Sequence, residues 1–361
     1  MTEASVQVQA PVFTVDGQLT RTLGRDCLRL EISEGLGGLR TLEAEFLAVG
    51  AGDDGPPGPL RHLDGSTVDF GRSLKVAIGP DSGQRFAFDG TVSALELVIS
   101  DGEPQRAVVL AEDALMRLRM TRRLRSWTRV TDAELASSIA GEHGLDADVQ
   151  ADGPRYDVVQ QLNQSDLAFL RERARLLQAE LWCTGSTLHF RSRDTRSATE
   201  VALTVGAQLL SARLAADLSA QRGEVVVSGY DAGQRAAVTE RAGSDVVEAE
   251  TSGGRSGASL VTRALGASAS VRVREVPLSS EEAQAWARAE MLRRGRAFVT
   301  VSGVTNGTPD LVVGSRLTLR LVGEPFEGEG YYVTSIRHRF DLRTGLRTEF
   351  TAQRATLNEV S

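Results

Sequence analysis

Short runs with an apolar residue at every second position occupy both ends of the chain, and helical periodicity replaces them in its middle. Leu95, Leu97 and Ile99 alternate with Ala94, Glu96 and Val98, and Leu317, Leu319 and Leu321 alternate with Arg316, Thr318 and Arg320. A period of two belongs to a strand with one buried face, so both ends are expected to be sheet. Further strand-like runs lie at 27–32, 42–49, 74–78, 85–99 and 105–110. After residue 200 they recur at 201–205, 209–215, 224–230, 297–304, 315–322, 331–340 and 348–352. Turn chemistry separates them: Glu34-Gly35-Leu36-Gly37-Gly38, a Gly/Pro-rich loop at 51–59, Asp101-Gly102-Glu103-Pro104 and Leu342-Arg343-Thr344-Gly345.

The middle carries helix signals. Thr131-Asp132-Ala133-Glu134 reads as a capping box opening a helix with Leu135, Ala136, Ile139 and Ala140 on one face and a stop at Gly144. Ser165-Asp166 opens a second helix, with Leu167, Leu170, Ala174 and Leu177 on one stripe and Arg171 and Arg175 opposite. That helix runs into a hairpin at 181–191 around Gly185-Ser186. A third helix starts at the cap Ser279, with Glu282 three residues on and Ala283, Trp286, Ala287 and Met291 inward. The small, polar, glycine-rich stretch 241–258 before it reads as a flexible loop.

These signals define an α+β, mainly β fold. Residues 1–115 are expected to form a first β-unit, 116–199 a small α/β domain, and 200–240 with 296–361 a second β-unit. Residues 241–295 are then a helix-containing insertion. At 361 residues, 41% hydrophobic and 25% charged, the chain has room for such cores and is not disordered.

Composition removes several function classes. The net charge of −7 argues against a general nucleic-acid-binding surface. No stretch of about 18 apolar residues is present, so no membrane-spanning helix is expected. The acidic, non-apolar start (Met1-Thr2-Glu3-Ala4-Ser5-Val6) does not read as a signal peptide, which implies synthesis and assembly in the cytoplasm. Cys27 and Cys183 have no metal-ligand or redox spacing and read as buried thiols. His62, His143, His189 and His338 share no spacing that would hold a metal, and no catalytic or phosphate-loop motif occurs. Glu142-His143 reads as a helix end, and Glu281-Glu282 as a helix start. Asp53-Asp54 lies in the Gly/Pro loop. No catalytic residue, cofactor or metal is therefore expected.

One electrostatic feature stands out. All but one of the 41 basic residues are arginines, Lys75 being the exception. Six of them fall within 117–129 (RLRMTRRLRSWTR), with Trp127 and no acid. A single-strand nucleic-acid stripe would use arginines and a stacking tryptophan in this way. Against a net negative chain, the favoured reading is a strand edge or subunit contact whose arginines meet acids elsewhere, at a subunit or tube interface. Arg122, Arg123, Arg125 and Trp127 are the candidate interface residues.

The tract Leu124-Arg125-Ser126-Trp127-Thr128-Arg129-Val130-Thr131 resembles the one preceding the first helix in phage late control protein D and the N-terminal region of VgrG proteins. Gln161, Asn163, Ser165, Asp166, Phe169 and Leu170 match that family's Q-x-N-x-S-D-x-x-F-L signature, with Arg171 following. The segment from Pro309 to Phe350, including Gly330-Tyr331-Tyr332-Val333 and His338-Arg339-Phe340, resembles its last β-unit. The resemblance implies a baseplate hub of a phage tail or contractile injection system, with two related β-barrel-like domains separated by the α/β domain. It also implies a non-enzymatic homotrimer that joins a hexameric tail-tube protein to a trimeric spike and meets other baseplate components. The signature is expected to hold the fold, with Asn163 and Ser165 capping the helix and tying down the turn before it. Because the chain ends at Ser361, just past its last strand, the spike is expected to be a separate polypeptide. The particle would be assembled in the cytoplasm and act as part of a virion or injection particle. Other readings are a tail-tip hub of a non-contractile phage and, from another class, a tail-associated peptidoglycan hydrolase.

Overall fold

The computed structural model describes residues 10–49, 60–79, 85–196, 199–265, 270–272 and 276–359. The N-terminal residues 1–6 and the Gly/Pro stretch 51–59, with Asp53-Asp54, lie outside the described residues. The chain opens with β1 (Val12–Val15), β2 (Gln18–Leu19), α1 (Arg21–Asp26), β3 (Cys27–Gly35), β4 (Thr41–Leu47), β5 (Ser73–Ile78), β6 (Arg85–Val98) and β7 (Arg106–Glu112). There follow α2 (Met116–Arg119), β8 (Arg122–Val130), α3 (Asp132–Glu142), β9 (Asp146–Gln150), β10 (Tyr156–Ser165), α4 (Asp166–Leu177), β11 (Ala179–Thr184) and β12 (Thr187–Ser192). Next come β13 (Glu200–Thr204), β14 (Leu209–Ala216), β15 (Glu224–Asp231), β16 (Ala236–Gly243), α5 (Asp245–Glu248), β17 (Arg255–Ser256), α6 (Gly257–Leu265) and β18 (Ser270–Arg272). The last elements are α7 (Ser280–Arg296), β19 (Val299–Asn306), β20 (Arg316–Arg320), β21 (Gly328–Asp341), β22 (Gly345–Arg354) and β23 (Thr356–Leu357).

The fold is mainly β, and its two terminal β-units are hydrogen-bonded into one 13-stranded sheet. Among the described residues neither unit closes into a barrel. The sheet is open, with β14 at one end and the short β1–β2 pair at the other. The join is made by β21, which is long enough to serve two neighbours along one edge. Its first part, from Gly328 to Tyr332, pairs with β20, and its second part, from Ser335 to Asp341, pairs with β3.

The two units repeat one strand order. The first reads β3-β4-β7-β6-β5-β1, and the second reads β14-β19-β22-β21-β20-β13. The irregularities recur too. β3 skips Leu28 against β4 as β14 skips Leu210 against β19. β6 skips Ser93 against β7 as β21 skips Thr334 against β22. A bulge adds a residue to one strand and re-aims the side chains beyond it, so matching bulges align the repeats residue by residue. Leu28 corresponds to Leu210 and Ser93 to Thr334.

Three apolar cores underlie this layout. One is built from Phe13, Leu30, Ile32, Phe46, Phe88 and other residues of the first unit, with Phe340 contributed by β21. A second gathers Leu203, Val301, Leu317, Tyr331, Val333 and Phe350. The third unites the middle of the chain with residues beyond 220: Leu135, Ile139, Phe169 and Phe190 pack in one cluster with Val225, Val227, Val238, Trp286 and Met291.

The expected division at 240/241 therefore falls inside β16. β15 and β16 form their own sheet with β18, covered by α7, rather than joining the second β-unit. Hydrophobic period alone did not distinguish these strands from sheet strands, because both carry one apolar face. The stretch read as a flexible loop at 241–258 contains the end of β16, α5 and β17. Val246 and Val247 anchor it in the core, and a small apolar pair is a weak signal amid glycine and serine. Leu321 was expected inward; β20 ends before it, and Leu321 is exposed with φ +60°.

Candidate functional site: the arginine strand and the signature turn

β8 and β10 form a two-stranded antiparallel ribbon in which Leu124 faces Leu162, Ser126 faces Gln160 and Thr128 faces Val158. Asn163 is the bulged residue, with φ +52°. Asparagine tolerates that left-handed conformation better than most side chains. Arg122 holds the bulge by donating from Nε to the Asn163 carbonyl at 2.9 Å and to its side-chain oxygen at 3.0 Å. The chain then turns into α4, where the Ser165 hydroxyl accepts from the Ala168 amide at 3.2 Å as the N-cap. Ser165 thus caps the helix, whereas Asn163 shapes the bulge.

Asp166, the first residue of α4, is fully buried and is the centre of the site. Its Oδ1 accepts from Gln161 Nε2 at 2.9 Å and from an Arg125 guanidinium nitrogen at 3.0 Å. Its Oδ2 accepts from Arg123 Nε at 2.9 Å and lies 2.8 Å from His143 Nε2. Arg125 Nε also donates to Gln161 Oε1 at 3.0 Å, and its Nη1 donates to both Glu142 oxygens at 2.7 Å. Burial alone would push the Asp166 carboxyl up. The hydrogen bonds from His143, Gln161 and Arg123, with the Arg125 charge, outweigh it and hold the group below the usual carboxylate range.

The apolar half of the signature packs beside this network. Trp127 stacks on Phe169 with centroids 5.2 Å apart and planes 10° from parallel, and the Arg125 guanidinium lies 4.4 Å over the Trp127 ring. Leu170 is buried in the same core.

All ten residues singled out in the sequence therefore meet on one strand pair and one helix. Glu142 and His143 complete the set. They were read only as a helix end, and His143 does form the C-cap of α3. Only the tertiary fold turns its ring toward Asp166. Arg123 and Arg125 meet acids of their own chain, Glu142 and Asp166. The opposite face of the ribbon is open, with Leu124 79% and Leu162 58% exposed and exposed Arg122 at its end.

A second polar network sits where the three parts of the chain meet. Buried Glu180 on β11 accepts from Tyr332 on β21 at 2.6 Å, from Arg196 at 2.9 Å and from Arg193 at 3.3 Å. Arg196 also lies 3.8 Å from Glu34 on β3, which Arg40 Nε reaches at 2.7 Å. The Arg40 amide donates in turn to buried Asp113 at 2.8 Å. The loop after β3 is pinned to α4 by Arg171, which donates to the Gly37 and Gly38 carbonyls at 2.8 and 3.0 Å.

Among the described residues no three His, Cys, Asp or Glu side chains are placed to hold a metal ion, and no helix is long and apolar enough to cross a membrane.

Comparison with known proteins places the fold. The family model described as the Alg8 N-terminal domain matches residues 63–341. No curated protein matches the chain significantly. A 43 kDa tail protein of prophage MuSo2 from Shewanella oneidensis superposes with a TM-score of 0.67 at 14% identity, over 96% of this chain and 98% of its own. A tail protein from Neisseria meningitidis MC58 gives 0.65 at 12% identity, over 96% of each chain. An E. coli type VI secretion component, described as structurally similar to the T4 tail proteins gp27 and gp5, gives 0.55 at 13% identity, over 99% of this chain and 78% of that one. The chain thus has the fold of phage tail and type VI secretion proteins.

Proposed function

The chain belongs to the Alg8 N-terminal domain family; from its internal repeat and its fold we propose that it is a non-enzymatic baseplate hub of a phage tail or contractile injection system. Three copies form a ring that joins a hexameric tail tube to a trimeric spike and contacts other baseplate proteins. The observation that carries this reading is the repeat. One chain presents two β-units of the same strand order and bulge pattern, joined edge to edge in one sheet. Three such chains offer six similar positions to a sixfold tube, while the middle domains occur once per chain and keep threefold symmetry for the spike. The tail proteins sharing the fold support a structural role.

On this reading the Asp166 network fixes the middle domain, with Gln161, Asn163, Ser165, Asp166, Phe169 and Leu170 serving the fold. Arg122 and the open ribbon face around Leu124 are the part of the arginine strand left for a tube or subunit contact. The test is the mass and symmetry of the purified protein. Light scattering should give three times the chain mass, and class averages of negatively stained particles should show a ring with six lobes on one face and three on the other. A monomer at every concentration up to assembly conditions would overturn it.

A further inference from the structure

The repeat leaves one pairing unmade. Within the chain, the first unit's end strand β3 is paired with the second half of β21. The second unit's counterpart of β3 is β14, and it ends the sheet with no strand on its outer side among the described residues. The first unit's counterpart of the β21 half-strand is the second half of β6. That half pairs with β7 on one side, while β5 reaches only to Thr91 on the other. Among the described residues these are two open edges whose equivalents are already bonded to each other.

Both edges look unfinished. β14 is eight residues long, with a single charge (Arg213) and no proline or lysine. Proteins usually blunt an edge strand with such residues. Along β6 and just beyond it, Leu97 is 41% and Ile99 68% exposed, against the expectation of an inward face. Their counterparts at the internal junction, His338 and Phe340, are buried.

We propose that β14 of one copy pairs antiparallel with the second half of β6 of the next, in the register by which β3 pairs with β21 inside the chain. The inference rests on the hub reading above and supplies its subunit contact. Internally His338 faces Ile32, Phe340 faces Leu30, and Arg337 faces Ser33. Carried across by the matched bulges, Leu97 faces Leu214, Ile99 faces Ala212, and Glu96 faces Ala215. Two apolar side chains exposed in one copy then lie over apolar partners of the next.

Charge gives an independent check. At the internal junction Arg337 Nε meets Glu31 at 3.1 Å, one step diagonally across the strands. The counterparts of Arg337 and Glu31 are Glu96 and Arg213. The pair is preserved with its signs exchanged, and both members are exposed and lack an ion-pair partner among the described residues. Because the contact joins two different surfaces, it is head-to-tail and closes a ring when the rotation allows.

Cysteine cross-linking tests the register on the full chain. Directly opposed antiparallel residues have Cα atoms about 4.5–5.5 Å apart, within reach of a disulfide, whereas diagonal ones at about 7–8 Å are not. Under mild oxidation, Leu97→Cys with Leu214→Cys, and Ile99→Cys with Ala212→Cys, should link copies into a closed covalent oligomer. Leu97→Cys with Ala212→Cys should not. Separately, Glu96→Arg and Arg213→Glu should each lose the ring, and the double reversal should recover it.

A ring that forms without the in-register cross-links, or that the double reversal fails to restore, overturns this contact and leaves the trimeric hub standing. Monomer under all conditions overturns both.

Discussion

Replacing Asp166 with asparagine isolates what the signature network contributes. The carboxylate accepts from four donors at 2.8–3.0 Å, two of them guanidinium groups. An amide removes the charge and turns an NH2 toward one donor pair. Losing two charge-assisted hydrogen bonds costs about 1.5–3 kcal/mol each. Because the Arg123 and Arg125 side chains are 33% and 22% exposed, water recovers part of that loss. The net loss is then about 3 kcal/mol, roughly a hundredfold in the unfolding equilibrium. Trp127 and Trp286 pack in the core built on the middle elements and Trp182 lies on β11, so tryptophan fluorescence reports this part selectively. With a urea slope of about 1–3 kcal/mol/M, Asp166→Asn should lower the midpoint by about 1–3 M. Arg122→Ala, which removes contacts at the exposed bulge only, should cost under about 1 kcal/mol. Because the folded-state carboxyl is held below its unfolded value, its stabilisation is full above the ordinary carboxylate range and fades as pH falls through the folded value. The gap between wild type and Asp166→Asn should therefore shrink in acid. A variant that melts with the wild type at neutral pH would refute the reasoning.

Further outcomes can be checked on the same protein. Ser165→Ala and Thr131→Ala each remove an N-cap and should cost about 1 kcal/mol in the same urea titration. Burial pushes Asp113 up to about 6 and His338 down to about 4. The Asp113 shift makes stability fall as pH rises from about 4 to 6, and the His338 shift makes it rise from about 4 to 6.5, so the two largely cancel. Relative to the wild type, melting curves across this range should slope down with rising pH for His338→Gln and slope up for Asp113→Asn. Burial pushes both the Cys27 and Cys183 thiols up to about 12, so alkylating reagents should label neither until the chain is unfolded. Mass spectrometry before and after urea reads this directly.

Local chemistry was enough to reveal the class of the fold and its three longest helices, α3, α4 and α7. The capping box at Thr131 forms as written, with the Glu134 carboxylate on the Thr131 amide and the Thr131 hydroxyl on the Glu134 amide. Ser165 and Ser279 cap as expected, because a cap involves only residues within one turn. The signature residues stand out through the resemblance to the hub family, and the Ser165 cap is legible with them, but the central role of Asp166 is not. Asp166 becomes the centre only because β8 brings Arg123 and Arg125 beside it from about forty positions earlier in the chain.

Sequence alone therefore determined the strand-rich ends, the capped helices and the group of residues that meet at the ribbon. Tertiary structure decided which sheet each strand joins. It placed β15 and β16 under α7 and joined the two β-units through β21. It also left Leu97 and Ile99 facing outward. The physical reason is that a strand's period shows that one face is covered and is silent on what covers it. Pairing partners are set by long-range backbone register, and here that register repeats across two units with different sequences and leaves one matching pair of edges open.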